Sequence, residues 1–191
     1  MKIGLAVGHS RLGDQGAYTT GDNILSEWDF NRDLVRQIGH LLSNKYGRAI
    51  GEDYVIYDHY PARSYTGAIN YLARKLKEDN IGAVIELHFN SASPSANGHE
   101  WLYWHTSSGG EHLAAALRDE MEEAYPDMKS RGIKPRHRKQ RGSYFLRVVP
   151  PYAVLAEPFF GSHSEEWRMI NNSRDRLARV YARAVTNFVD G

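Results

Sequence analysis

The stretch Ile81-Gly-Ala-Val-Ile-Glu-Leu-His88 decides the fold, because it is a short, continuous apolar run that ends on a polar side chain. Its length and its branched residues predict a buried strand. The stretches Met1-Lys-Ile-Gly-Leu-Ala-Val-Gly-His9 and Pro151-Tyr-Ala-Val-Leu-Ala-Glu157 have the same character. Each run therefore brings an imidazole or a carboxylate to the carboxyl end of a predicted strand, which is where open α/β sheets bind ligands.

Helical periodicity separates these strands. Apolar residues at Phe30, Leu34, Val35 and Ile38 repeat with the spacing of one helix face. The full pattern predicts helices over 26–45, 65–79, 110–124 and 165–188, and further strands near 53–58 and 99–105. This alternation predicts an α/β fold, a three-layer sandwich in which a twisted sheet carries helices on both faces. The chain has 191 residues and no linker-like stretch, so we expect one domain over 1–191.

Four acid and imidazole side chains at these element ends suggest a metal site. Glu27 follows Ser26, a plausible N-cap, and helix capping alone would explain a glutamate there. His9 and His88 change that interpretation, because two imidazoles and one carboxylate leave one position of a tetrahedral Zn²⁺ ion open to water. Glu157 could then exchange protons with that water, although an acid before a turn is also an ordinary surface residue.

Five segments in order resemble the zinc-dependent N-acetylmuramoyl-L-alanine amidases of bacterial cell walls and phage endolysins. The segments are Gly8-His9-Ser10, Ser26-Glu27, Glu86-Leu-His-Phe-Asn-Ser91, Arg131-Gly-Ile-Lys134 and Val154-Leu-Ala-Glu-Pro-Phe-Phe160. The resemblance extends from residue 2 to about residue 187. It implies a mixed sheet of about six strands, related to that of zinc carboxypeptidases. It also implies cleavage of peptidoglycan at the amide between the lactyl group of N-acetylmuramic acid and the L-alanine of the stem peptide.

The same resemblance implies roles for individual residues. His9, Glu27 and His88 become the ligands of one Zn²⁺ ion, and Glu157 becomes the catalytic acid/base. Two positions depart from the family pattern, namely Ser10, where many relatives have glycine, and Glu86, where a small residue is more usual.

Glu86 is the more consequential of these departures. Side chains alternate across a strand, so Glu86, His88 and Asn90 would share one face if the extended conformation continued. Glu86 would then either orient His88 from outside the metal shell or serve as an alternative ligand. Asn90 could hydrogen-bond a ligand loop or the substrate, or it could be an ordinary turn residue.

The net charge and the composition of the basic segment argue against nucleic acid as a partner. The formal net charge is only +1, and the one basic segment, 129–141, lacks the aromatic interleaving of a nucleic-acid-binding surface. Within this segment Arg141 is a candidate for contact with a stem-peptide carboxylate. A solvated loop without a dedicated partner is the competing interpretation.

The remaining features concern the type of metal ligand and the cellular location. The chain contains no cysteine, so any metal ligands are nitrogen or oxygen atoms. It has neither a signal-peptide pattern nor a long apolar span, so we expect no membrane partner. We expect a monomeric phage lysis enzyme that accumulates in the host cytoplasm before it acts on the wall; a truncated exported amidase would look the same.

An alternative function is a related zinc amidohydrolase or carboxypeptidase. A carboxypeptidase would need an arginine for a terminal carboxylate, and Arg63, Arg141 and Arg147 are the candidates. A wall-binding protein without catalysis is disfavoured, because all four residues of the predicted centre are present.

Overall fold

Five apolar runs and one basic run form the strands of a single six-stranded sheet. The computed structural model describes residues 1–10, 13–62, 64–149 and 152–191. The strands are β1 (Ile3–Val7), β2 (Tyr54–Tyr57), β3 (Ala83–Leu87), β4 (His99–Trp104), β5 (Ser130–Arg136) and β6 (Tyr152–Glu157). The helices are α1 (Glu27–Tyr46), α2 (Tyr65–Glu78), α3 (Ser108–Ala124), α4 (Ser143–Val148), α5 (Ser164–Asn171) and α6 (Arg174–Asp190).

The sheet is mixed, and its topology determines where the functional residues meet. The strand order is β2-β1-β3-β6-β4-β5. Strands β2, β1, β3 and β6 run parallel, β4 runs antiparallel to β6, and β5 runs parallel to β4. The carboxyl ends of β1, β3 and β6 therefore lie together at one edge of the sheet, beside the amino end of β4.

Helices cover both faces of the sheet. On one face, side chains such as Ile3 and Ile85 pack in a buried cluster with α1, α3, α5 and α6. On the other face, Ala6 and Val84 pack with α2 and α4. Alternating residues of β1 and β3 thus pack into two separate apolar layers, because successive side chains of a strand point to opposite faces of the sheet. The predicted three-layer α/β sandwich is confirmed.

Two parts of the predicted secondary structure are wrong. The basic segment expected to be a loop contains β5, an edge strand whose lysine, arginine, glycine and proline are poor strand formers. Charged residues and proline are common on edge strands, because they discourage pairing with another chain. The single closing helix predicted over 165–188 is two helices, α5 and α6, separated at Asn172 and Ser173. Such residues bond to the nearby backbone and favour helix ends.

The predicted strand before Glu157 begins at Tyr152, while Pro151 lies outside the described residues. None of the helices in the described ranges combines the length and the apolar character that crossing a membrane requires.

Candidate metal and catalytic site

Glu27 is placed by the start of α1. The Ser26 hydroxyl accepts a hydrogen bond from the backbone N–H of Asp29 at 3.1 Å, so the predicted N-cap is confirmed. Glu27 lies in the first turn of this helix, and its side chain is buried, with only 2% exposed. A carboxylate at a helix start is favoured by the helix dipole, but burial to this extent goes beyond ordinary capping.

The structure brings His9, Glu27 and His88 together. Nε2 of His9 lies 3.2 Å from Oε2 of Glu27, and Nδ1 of His88 lies 2.8 Å from Oε1 of the same carboxylate. Oε2 of Glu27 also accepts a hydrogen bond from the backbone N–H of Ala17, and Oε1 accepts one from the backbone N–H of Phe89, both at 3.1 Å. One donor atom from each of the three side chains lies within 4.8 Å of the others, so all three can surround one ion.

Two glycines leave room for this arrangement. A methyl group at Gly8 would lie 2.3 Å from the His88 ring, and one at Gly16 would lie 2.6 Å from Oε2 of Glu27. The backbone of His9 itself has φ 67°, in the left-handed region that non-glycine residues rarely adopt. Such conformations concentrate at functional sites, where the surrounding structure holds them in place.

Gly16→Ala is expected to weaken the binding of a metal ion at this cluster by at least about tenfold, because the added methyl group collides with Glu27 and His9. Gly21→Ala is the matched control. Its backbone is also left-handed, with φ 82° against 74° for Gly16, but a methyl group there meets open space. Zinc affinity measured by competition with a chelator checks the prediction, and equal losses in both variants would contradict it.

The charges of the three side chains are strongly coupled. Burial would raise the pKa of the Glu27 carboxyl, but the hydrogen bonds to His88 and His9 hold that pKa well below its usual value. Burial would lower the pKa of His88, but the nearby charge of Glu86 and the bond to Glu27 raise it well above its usual value. The carboxylate is therefore ionised, and an incoming cation replaces protons on the imidazoles.

The donor set fits a zinc ion. Two imidazoles and one carboxylate are the ligands of many hydrolytic zinc centres, in which the remaining position is kept for water or substrate. Glycine keeps the backbone beside the ligands free of side chains, as described above. Glu27 contacts both imidazoles and thereby sets their separation.

Glu157 lies at the carboxyl end of β6, on the same groove as His9 and His88. Its side chain is 2% exposed, and burial raises the pKa of its carboxyl to about 7, against the opposing positive charges of His88 and Arg141. Nη2 of Arg141 lies 3.1 Å from Oε1 of Glu157. The other oxygen, Oε2, is buried and has no hydrogen bond within the described part of the chain.

Asn90 and Arg141 extend this contact into a polar network. Arg141 donates from Nη1 to Oδ1 of Asn90 at 3.1 Å, and Asn90 donates to Oε1 of Glu100 at 2.9 Å. Oε2 of Glu100 accepts from Nε of Arg131 at 2.9 Å and lies 3.4 Å from Nζ of Lys134. Asn90 is thus a connecting residue, and Glu100 is a member of the network that sequence reasoning missed.

Glu86 lies on the sheet face covered by α2, and its Oε2 is 3.1 Å from Nε2 of His88. It is not part of the cluster formed by His9, Glu27 and His88. Of the arginines considered for a terminal carboxylate, Arg147 stacks on the Tyr144 ring at 5.7 Å, and Arg63 lies outside the described residues.

The groove in front of the site is open and carries both aromatic and basic groups. Its lining includes Tyr65, Lys139, Arg141 and Tyr144 next to His88 and Glu157. The side chain of Arg141 is 64% exposed, so it faces this groove while it contacts Glu157. The groove is therefore open to solvent beside the buried Glu157 carboxylate.

Comparison with known proteins assigns the family. Residues 3–187 match the family model described as N-acetylmuramoyl-L-alanine amidase, Amidase_3. The chain belongs to this family. As a member of this amidase family, it is a hydrolase that acts on peptidoglycan.

Solved amidase structures share the fold. The catalytic domain of CwlV, an N-acetylmuramoyl-L-alanine amidase from Bacillus (Paenibacillus) polymyxa var. colistinus, matches with a TM-score of 0.79 and 20% identity, covering 100% of this chain and 99% of that one. An amidase from Clostridium difficile 630 has the same TM-score and identity, covering 100% and 97%. The catalytic domain of the CD27L endolysin, which targets Clostridia difficile, matches at 0.77 and 26%, covering 98% and 97%. A search of curated proteins found no match.

Proposed function

We propose that the chain is a zinc-dependent amidase that cleaves the amide between the lactyl group of N-acetylmuramic acid and the L-alanine of the stem peptide. His9, Glu27 and His88 hold the Zn²⁺ ion, and Glu157 is the catalytic acid/base. The supporting observation is the convergence of these three donor groups within 4.8 Å of one another, two of which, His9 and His88, line the groove that contains the buried Glu157. In this proposal residues 1–191 act as one catalytic domain and as a monomer.

The proposed mechanism assigns a separate task to each side chain. When bound, Zn²⁺ lowers the pKa of a water molecule and polarises a carbonyl group. Glu157 accepts the proton of the attacking water through its free oxygen, Oε2, while Arg141 holds Oε1. Glu157 then returns this proton to the alanine nitrogen as the carbon–nitrogen bond breaks. A pKa near 7 suits both transfers, because at neutral pH such a carboxyl group can both accept a proton and give it up.

The acid limb of the pH profile is expected to follow Glu157. Its carboxylate form accepts the proton, so kcat/KM falls as the pH drops through the Glu157 pKa. A bound cation lowers this pKa, so the acid limb lies at or below about pH 7. Arg141 lowers that pKa. Arg141→Gln therefore moves the acid limb upward by roughly half a pH unit, a value typical of exposed ion pairs.

The measurement is the pH dependence of kcat/KM on solubilised peptidoglycan fragments. Arg138→Gln removes an exposed arginine of the same basic segment and is expected to leave the acid limb in place. An acid limb that stays in place in Arg141→Gln, or that moves equally in both variants, would show that Arg141 does not act on the general base.

The experiment that tests the proposed bond is analysis of the new ends in digested peptidoglycan. The amidase reaction releases stem peptides with free L-alanine amino termini and leaves intact lactyl-muramic acid. The alternative, a carboxypeptidase of related fold, would release single amino acids from the carboxyl end of the stem. Parallel digestions of peptidoglycans with lysine and with diaminopimelate in the third stem position identify the accepted type. Absence of alanine termini from both would reject the proposal.

A further inference from the structure

Glu86 places a carboxyl group in the interior of the sheet. It belongs to β3, and its neighbours across the strand pairs are Ala6 of β1 and Leu155 of β6. Its side chain is 3% exposed. Burial of a carboxylate is unfavourable unless the group has a partner, so a glutamate in a central strand requires an interaction that offsets its burial.

His88 is the basic group beside Glu86. Its ring lies between two carboxylates. Nδ1 is hydrogen-bonded to Oε1 of Glu27 at 2.8 Å. Nε2 lies 3.1 Å from Oε2 of Glu86 without the geometry of a hydrogen bond, so among the described residues both of these buried atoms have no hydrogen-bond partner. The two contacts differ in kind. Glu27 also contacts His9 and belongs to the three-residue cluster, whereas Glu86 lies outside it, on the opposite side of the ring.

An imidazole that binds a metal uses one ring nitrogen and carries a proton on the other. The two nitrogens of His88 point in diverging directions. An ion held between His9, Glu27 and His88 faces Nδ1, because Nδ1 is the nitrogen beside Glu27. Nε2 is then the protonated nitrogen, and the only acceptor beside it among the described ion-pair contacts is Glu86.

We infer that in the metal-bound protein Glu86 is a positioning residue that accepts a hydrogen bond from Nε2–H of His88, which gives both unpartnered atoms a partner and fixes Nδ1 as the metal-binding nitrogen. This inference rests on the proposed zinc site. It also decides against Glu86 as a metal ligand, because Glu86 contacts the nitrogen that faces away from the cluster.

A carboxylate partner has a measurable consequence for the ligand. It holds the plane of the imidazole and makes the opposite nitrogen more basic, and loss of such partners typically weakens metal binding about 10–100-fold. Glu86→Met removes the acceptor at similar volume, so zinc affinity is expected to fall by about this factor. Glu86→Gln keeps an acceptor oxygen without the charge, so a smaller loss, below about tenfold, is expected.

The experiment combines zinc affinity with the tautomer of His88. Chelator competition measures the Kd of wild type, Glu86→Gln, Glu86→Met and the control Glu120→Gln, which changes a buried acid on α3 that is paired with Arg183 of α6. Two-bond ¹H–¹⁵N correlation spectra of the zinc-loaded wild type identify the protonated nitrogen of His88, with His88→Gln for assignment. We expect Nε2 to be protonated, the graded affinity losses above, and no change in the control.

Three results would overturn the inference. One is a protonated Nδ1 in the wild type, which does not depend on any variant folding. Another is an unchanged zinc Kd in a Glu86→Met protein whose circular dichroism shows a folded apo form. The third is an altered Co²⁺ absorption spectrum in Glu86→Gln, which would make Glu86 a ligand. Failure of the wild type to bind zinc at all would instead reject the proposed metal site itself.

Discussion

Glu157→Gln is expected to lower kcat for release of stem peptides by about 10²–10⁴-fold, the usual contribution of a general acid–base group. The side chain keeps its shape, and an amide cannot take up and return a proton. Glu157 is not one of the three proposed ligands, and its ion-pair partner among the described residues is Arg141 rather than a ligand. Its replacement is therefore expected to leave the Kd for zinc within about twofold of the wild-type value. The combination of lost turnover and retained metal is the signature of a proton-transfer residue.

The measurement is single-turnover cleavage of a soluble muramoyl-peptide together with zinc titration of the same samples. Glu165→Gln is the control, because it neutralises an exposed acid on α5 away from the groove lining. A Glu157→Gln enzyme with kcat within about tenfold of wild type would remove Glu157 from the mechanism. Loss of zinc together with activity would instead place Glu157 among the ligands.

Removal of a proposed ligand is expected to abolish both metal binding and turnover. His9→Ala and His88→Ala each leave two donors, too few for a stable hydrolytic zinc centre. A metal that acts as a Lewis acid contributes several kcal/mol to the reaction, so the loss in kcat/KM is about 10³-fold or more. Chelation of the wild-type protein has the same effect, and added zinc reverses it in the wild type alone.

Metal content by mass spectrometry and kcat/KM on the same preparations check this prediction. His112→Ala is the matched control, because it removes an exposed histidine on α3. Stoichiometric zinc in either ligand variant, or full activity of the chelated wild type, would show that the cluster is not the catalytic metal site.

Much of the fold was predictable from local patterns. Strands β1, β3 and β6 are short apolar runs, and such runs identify buried strands without tertiary information. The convergence of His9 and His88 follows from parallel strands that end at one edge of the sheet. Glu27 is different, because a glutamate after an N-cap serine is common; only the neighbouring imidazoles distinguish it from a capping residue.

The failures have physical causes that a single sequence does not display. Strand β5 gains its stability from pairing with β4, so its basic, proline-containing segment has no strand pattern of its own. The break between α5 and α6 lies within a periodic apolar stripe, which continues across it. The partners of Arg141 depend on the return of the chain toward Glu157 after β5, a tertiary contact between residues 16 positions apart in the chain.

Glu86 shows what the alternation of side chains along a strand predicts and what it leaves open. The pattern predicted that Glu86 and His88 lie on one face, and the structure places their side chains 3.1 Å apart. Alternation alone left open whether Glu86 orients His88 or binds the metal. That distinction depends on which ring nitrogen each carboxylate contacts, and the contacts of His88 support the inference that Glu86 orients the ring.

The most direct test of the account is to locate zinc in crystals of the zinc-loaded protein by diffraction on either side of the zinc absorption edge. The account predicts one anomalous peak, about 2.0–2.1 Å from Nε2 of His9 and from Nδ1 of His88, with the Glu27 carboxylate as the third protein ligand. Saturating zinc that leaves this position empty, or that binds elsewhere, would contradict the proposed catalytic centre.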